Sequence, residues 1–124
     1  MREIKFRGYD YKNSKWYYGS LSQQLRDGSF MLSSVRTFIS DEELGLHLVD
    51  NGTIGQYTGL KDINGVEIYE GDILRDYSNE IEDWIVSYDN GKFIGTCDNV
   101  CIDLYEISDM EVIDNIYIKI KERR

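Results

Sequence analysis

Apolar and polar residues alternate along most of this chain, in short runs broken by glycine or by Asn/Asp-Gly pairs. Period-two alternation is the mark of a strand with one face buried. Residues 3–9 set Ile4 and Phe6 against Lys5 and Arg7. Residues 15–21 bring Trp16, Tyr17, Tyr18 and Leu21 after a polar turn at 11–14, and 29–39 predict a strand through Phe30, Leu32, Val35 and Phe38, interrupted at Ser33-Ser34. Further strands are predicted at 46–49, 53–57, 66–69, 72–77, 83–88 and 92–96. A closing strand is expected over 111–120, where Val112, Asp114, Ile116, Ile118 and Ile120 alternate with their neighbours. Two stretches hint at helix. Ser40 followed by Glu43 resembles a capping box, limited by Gly45 to about one turn. Residues 99–107 place Val100, Cys101, Leu104 and Tyr105 at near-helical spacing, yet Ile102 and Ile107 break the stripe, so helix and strand stay open.

Proline is absent, and the turns fall to Asp27-Gly28, Asn51-Gly52, Asn64-Gly65 and Asn90-Gly91. Such pairs supply the positive φ values of two-residue type I′ hairpins. Trp84 to Ile94 reads as strand, Asn-Gly turn, strand. Many short strands at this spacing predict a mainly β chain folded as a small barrel or roll, with at most one or two short helices. No linker or repeat divides it: 1–124 is expected to be one domain, with an N-terminal β subregion (1–55) and a barrel subregion (56–124).

Hydrophobic content of 41% and charged content of 30% are those of a globular protein. No apolar run approaches the roughly 20 residues of a membrane span, and Met1 to Arg7 lacks an apolar leader core, so a cytoplasmic location without membrane contact is expected. The net charge of −9 is uneven. Residues 1–36 carry +4, 37–118 carry −16 and the last six carry +3. An acidic bulk repels a phosphate backbone, so generic duplex binding is disfavoured. The map reads as a solvated acidic surface with a basic edge; a sharper reading is head-to-tail complementarity between chains, or a basic partner.

Little catalytic chemistry is legible. Cys97 and Cys101, spaced C-x3-C, are too far apart along one strand for a disulfide and, with the single His47, too few for a structural zinc site. They are expected to be inert thiols. Glu67, Glu70 and Asp72 are the nearest carboxylate group for acid–base work, at spacings that are not diagnostic on a strand. His47, between Leu46 and Leu48, reads as a partly buried structural histidine rather than a base. Asp62-Ile63-Asn64-Gly65 begins like a calcium loop but lacks the later ligands. No catalytic, cofactor-binding or metal residue is assigned, no cofactor is expected, and an enzyme is not expected. One set of side chains invites another function: Tyr9, Tyr11, Trp16, Tyr17 and Tyr18 lie among Arg2, Lys5, Arg7, Lys12 and Lys15. That mixture suits a single-stranded nucleic-acid platform, or equally a packed sheet face.

The segment from Gln56 to Leu74 is the most distinctive, with its Asn64-Gly65 turn and the Glu70-Gly71-Asp72 corner before a strand. It resembles the signature of the YopX family, small proteins typical of phages and prophages. The opening Met1 to Asp10 is similar to that family's start, with Gly8-Tyr9 in place of Ala-Trp. The close, Glu111 to Tyr117, is similar to its Val-Ile-Gly-Asn-Ile-Tyr, with Asp114 replacing glycine. After Tyr117 the chain departs: Ile118-Lys119-Ile120-Lys121 stands where the family turns at Asn-Pro. The resemblance implies a mainly β architecture with an SH3-like barrel or roll in the C-terminal part, and no assigned reaction. Within the segment, Gly65 is expected to make a hairpin, Gly71 a corner and Gly59 another turn. Leu60, Ile68, Ile73 and Leu74 are expected in the core, and Gln56, Lys61, Asp62, Glu67 and Glu70 at the surface as contact residues. The function expected is a non-enzymatic protein–protein interaction or self-associating module, with a homo-oligomer or a host or phage protein as partner. The alternative is a nucleic-acid-binding module built on the basic, aromatic N-terminal region, though nucleic acid is the less expected partner.

Overall fold

Asp10 stops the first strand and starts its turn. Its carboxylate accepts the Lys12 and Asn13 amides at 3.0 and 3.4 Å and the Asn13 side-chain amide at 2.6 Å, which lets Ser14 adopt φ +53° and reverses the chain. β1 (Phe6–Asp10) and β2 (Lys15–Leu25) pair antiparallel across this turn, Phe6 opposite Gly19 and Asp10 opposite Lys15. The computed structural model describes residues 3–25, 35–43, 45–78, 80–104 and 109–117. The chain divides into two compact units, Met1–Gln56 and Tyr57–Arg124, passing from one to the other within a strand.

In the first unit the meander continues through β3 (Val35–Ser40) and β4 (Leu46–Val49), with Leu21 opposite Ile39 and Ile39 opposite His47. A single 3-10 turn, Asn51–Thr53, leads into β5 (Gly55–Lys61), whose Gln56 pairs with Phe6 of β1. Ile39, Val49, Thr37 and Thr53 are buried. The space between β1 and β4 is so narrow that a Cβ on Gly8 would lie 2.6 Å from Val49 Cγ2. Thr53 closes the roll: its hydroxyl accepts the Tyr9 amide at 2.8 Å and donates to the Asp50 carbonyl at 2.7 Å, while the Asp50 amide donates to the Tyr9 carbonyl at 2.8 Å.

In the second unit β6 (Glu67–Tyr69) pairs with the end of β5, Lys61 opposite Glu67. The register shifts between Tyr57 and Lys61, and the Thr58 hydroxyl covers the interruption by donating to Ile68 O and accepting the Leu60 amide. β7 (Asp72–Asp76), β8 (Glu82–Asp89), β9 (Lys92–Cys97) and β10 (Val100–Asp103) follow as a meander, and β11 (Glu111–Asn115) returns to β7 with a bulge between Val112 and Asp114. The ladder order is β10-β9-β8-β7-β11. Ile68, Leu74, Trp84, Val86, Phe93, Leu104 and Met110 form the core, with Leu60 packed against it. The mainly β, barrel-like expectation holds, with the ladder left open between β10 and β11 among the described residues.

The corner at Gly71 is as expected. Gly71 takes φ +93°, a region open to glycine at little cost. Its amide donates to Val86 O and its carbonyl accepts the Ile116 amide, while Asp72, buried, takes the Tyr69 amide at 2.7 Å. Asn90 and Gly91, at φ +51° and +81°, make the two-residue I′ turn of β8 and β9. Elsewhere the turns depart from expectation. At Asn64-Gly65 only the glycine has positive φ; the loop is one residue longer, with Gly65 N–H on Asp62 O and Asp62 N–H on Val66 O. The reason is Asp62, whose side chain caps the loop. Asn51-Gly52 forms the 3-10 turn rather than a hairpin.

The helix expected from Ser40 is absent. Ser40 ends β3, and Asp41 commits its carboxylate to the Glu43 and Gly45 amides, making a turn between paired strands. Residues 100–103, left open between helix and strand, are β10. The closing strand stops at Asn115, and Ile116 and Tyr117 are helical. Asp27-Gly28, residues 29–34, residues 105–108 and Ile118 onward lie outside the described residues.

Candidate interaction site along the fourth strand

β4 reads Leu46-His47-Leu48-Val49, and its histidine is half-buried, as expected. Leu46 and Leu48 are 56% and 54% exposed, whereas Val49 is buried and His47 half-buried. His47 faces inward because it has partners there. Its ring lies flat on Tyr17, centroids 3.8 Å apart and 9° between planes, and its Nε2 is 2.8 Å from Asp41 Oδ2. The hydrogen bond to His47, then that from the Gly45 amide, holds the Asp41 carboxyl below the usual range. A Cβ on Gly45 would sit 2.7 Å from His47 Nε2, so the turn leaves room for this pair.

A cleft of about 570 Å³ runs along β4. Leu46, His47, Leu48 and Val49 all line it, with Tyr17, Thr37, Arg36 and the loop residues Asp10, Lys12, Asp50 and Asn51 around it. Successive residues of a strand point to opposite faces, so a cleft touching all four is walled by the edge of the strand itself. β4 ends its ladder among the described residues. The four ladder ends differ in chemistry: β6 carries Glu67, β10 Asp103, and β11 Glu111 and Asp114, while β4 carries no Asp, Glu, Lys or Arg. Charges on edges are a usual guard against pairing with another chain. The units differ as well. Residues 1–56 hold seven Lys/Arg and seven Asp/Glu, a net of zero, whereas 57–124 hold seven and sixteen, a net of −9.

The other sequence candidates are engaged in structure. His47 is hydrogen-bonded to Asp41, and no hydroxyl or thiol joins that pair among the described residues. Glu67 accepts the Tyr69 hydroxyl at 3.0 Å, and Asp72 serves the corner; Glu70 is half-buried beside it. Asp62, expected at the surface, is buried. Its Oδ1 accepts the Asn64 and Val66 amides and its Oδ2 the Val112 amide, at 2.8 to 2.9 Å, so it ties the loop to β11. Gln56 is half-buried and Lys61 exposed. Cys97 and Cys101 are free thiols on neighbouring strands, not one: Cys97 pairs with Val100 and Cys101 with Thr96. They therefore face opposite sides, Cys97 toward the core and Cys101 toward solvent. Burial first, then the carboxylates of Asp98, Glu82 and Asp83, push the Cys97 thiol up, which makes it a poor nucleophile.

The aromatic and basic set packs upon itself. Tyr9 is buried and lies 5.0 Å from Tyr11 and 5.1 Å from Trp16, ring centre to ring centre. The Arg7 guanidinium covers Trp16 at 4.5 Å, and Tyr17 carries His47 on its ring with Lys15 Nζ at 5.2 Å. Tyr18 is the exposed aromatic, Lys12 and Lys15 are exposed as well, and Arg2 lies outside the described residues. Stacking faces committed to neighbours are not available to bases.

Among the described residues no group of three or more His, Cys, Asp or Glu could hold a metal ion, and no helix is long and apolar enough to cross a membrane. A family model described as YopX protein matches residues 5–119. None of the curated proteins matches the chain. Among solved structures it is similar to the crystal structure of protein EF1440 from Enterococcus faecalis, at 23% identity over 100% of both chains and a TM-score of 0.57. That likeness concerns the fold.

Proposed function

The chain belongs to the YopX family, and we propose that it works as a non-enzymatic, cytoplasmic module of phage or prophage type that acts by associating with protein. The observation that supports this most is the uncharged edge of β4, with Leu46 and Leu48 exposed beside an open cleft. Such an edge offers backbone donors and acceptors for strand addition and side-chain pockets for specificity. The aromatic residues that would make a nucleic-acid platform are largely packed against one another or against Arg7, Lys15 and His47. That weighs toward a protein partner. The test is native mass measurement together with tagged purification from cells carrying the protein, followed by Leu46→Ser/Leu48→Ser. Association lost in the double variant supports the reading. A chain that is monomeric and recovers no protein, or whose complex ignores both substitutions, overturns it.

A further inference from the structure

We propose that the occupant of the β4 edge is a second copy of this chain, paired antiparallel about a two-fold axis at His47. This rests on the association reading above and adds its partner and register.

The argument begins with charge. A two-fold contact brings each patch against itself, so a patch of one sign repels its copy. Association through 57–124, at net −9, sets like against like; residues 1–56 are net neutral. The same reasoning applies strand by strand. Self-pairing of β6, β10 or β11 brings carboxylates of both copies to one edge, and β4 alone of the four ladder ends has none. Around the cleft, Lys12 and Arg36 balance Asp10 and Asp50.

Register follows from facing. Residues opposite each other in an antiparallel pair point to the same side. A continued sheet must therefore set even residues of β4 against even ones. Leu46 opposite Leu48 of the second copy, with His47 opposite His47, meets this condition. It sets four leucines, two from each copy, against one another on one face of the joined sheet. These are side chains that each chain alone leaves more than half exposed. A four-residue strand gives a contact at the small end of the range for specific complexes, so the dimer is expected to depend on concentration.

The test is a charge exchange read by sedimentation equilibrium, from about 1 µM to about 1 mM, a range of about 4 kcal/mol in affinity. Leu46→Glu and Leu48→Lys each place a charge opposite a leucine and are expected to weaken the dimer by about tenfold or more. Together, L46E/L48K set the introduced carboxylate of one copy against the introduced ammonium of the other, twice across the axis, and the dimer is expected to return. Both positions are solvent-facing in the single chain, and unchanged thermal melts of the dilute variants check that the fold is intact. A dimer that both single variants leave unchanged overturns the β4 contact while leaving self-association standing. A double variant that stays dissociated overturns the register. A wild-type chain still monomeric at the highest concentration overturns the second copy as occupant. Only if Leu46→Ser/Leu48→Ser also releases no protein partner does the broader reading fall with it.

Discussion

Replacing Asp62 separates a contact residue from a structural one. Its carboxylate accepts three backbone amides, of Asn64, Val66 and Val112. A hydrogen bond to a charged group contributes about 1.5–3 kcal/mol when its loss strands a buried donor. Two of these donors belong to exposed loop residues, where water can replace the carboxylate, while Val112 is half-buried on β11. Asp62→Ala is therefore expected to cost about 2–4 kcal/mol rather than the sum of three full bonds. Unfolding entropy for 124 residues is roughly 0.26 kcal/mol/K. If the chain melts as one unit, the midpoint falls by roughly 10 °C. Asp62→Asn is the sharper variant. Its single oxygen can keep the Asn64 and Val66 amides, but its NH2 then faces the Val112 N–H, donor against donor. A loss of about 1–3 kcal/mol is expected, with faster hydrogen exchange at Val112 in both variants. The measurements are thermal melts by circular dichroism and residue-resolved exchange. An Asp62→Ala protein melting within about 2 °C of wild type, with Val112 protection intact, would refute the structural role and return Asp62 to the surface.

Gly71→Ala is expected to lose about 1–3 kcal/mol in a denaturant melt, from its φ of +93° and from a Cβ 2.7 Å from the Tyr117 ring. Tyr117→Ala in the same chain should recover the steric part, and strictly additive losses would contradict it. Gly91→Ala tests backbone conformation alone: a Cβ there meets no atom within 4 Å, so a loss of about 1 kcal/mol is expected, and none at all would contradict the I′ turn. Asp41 titrates below its ordinary 3.8 in the folded chain, so its contribution is present above that value and fades as pH falls through the lower folded one. Melting temperatures of wild type and Asp41→Asn should therefore differ at pH 7 and converge as pH falls through the folded value; parallel curves would exclude the His47–Asp41 bond as a source of stability.

Much of the fold was legible because its cues are local. Alternation located nearly every strand, and the backbone demand at Asn90-Gly91 and Gly71 was met where expected. Ile68, Ile73 and Leu74 are buried as read. Failures arose where a side-chain partner outside the local pattern changed a local rule. Asp41 took the Glu43 amide that a capping box at Ser40 would need, since pairing Ser40 with Leu46 requires a turn there. Asp62 looked like surface because its third partner, Val112, lies fifty residues on. The cysteines were measured along one strand although a hairpin separates them. The β4 edge was hardest to see. Its two leucines carry no core or surface reading in the sequence, and the partners of His47, Tyr17 and Asp41, decide which way the strand faces.

Closure of the first roll rests on Thr53, which joins Tyr9 across forty-four residues. A contact of such long sequence separation carries a large loop-closure entropy and becomes favourable only once the intervening strands are in place. The strands are therefore expected to zip from turn to turn, with the Thr53 latch forming last. In pulsed hydrogen exchange the Tyr9 amide is expected to gain protection after β2 and β3. Thr53→Val, which keeps shape and removes the hydroxyl, should quicken unfolding while leaving the folding rate nearly unchanged.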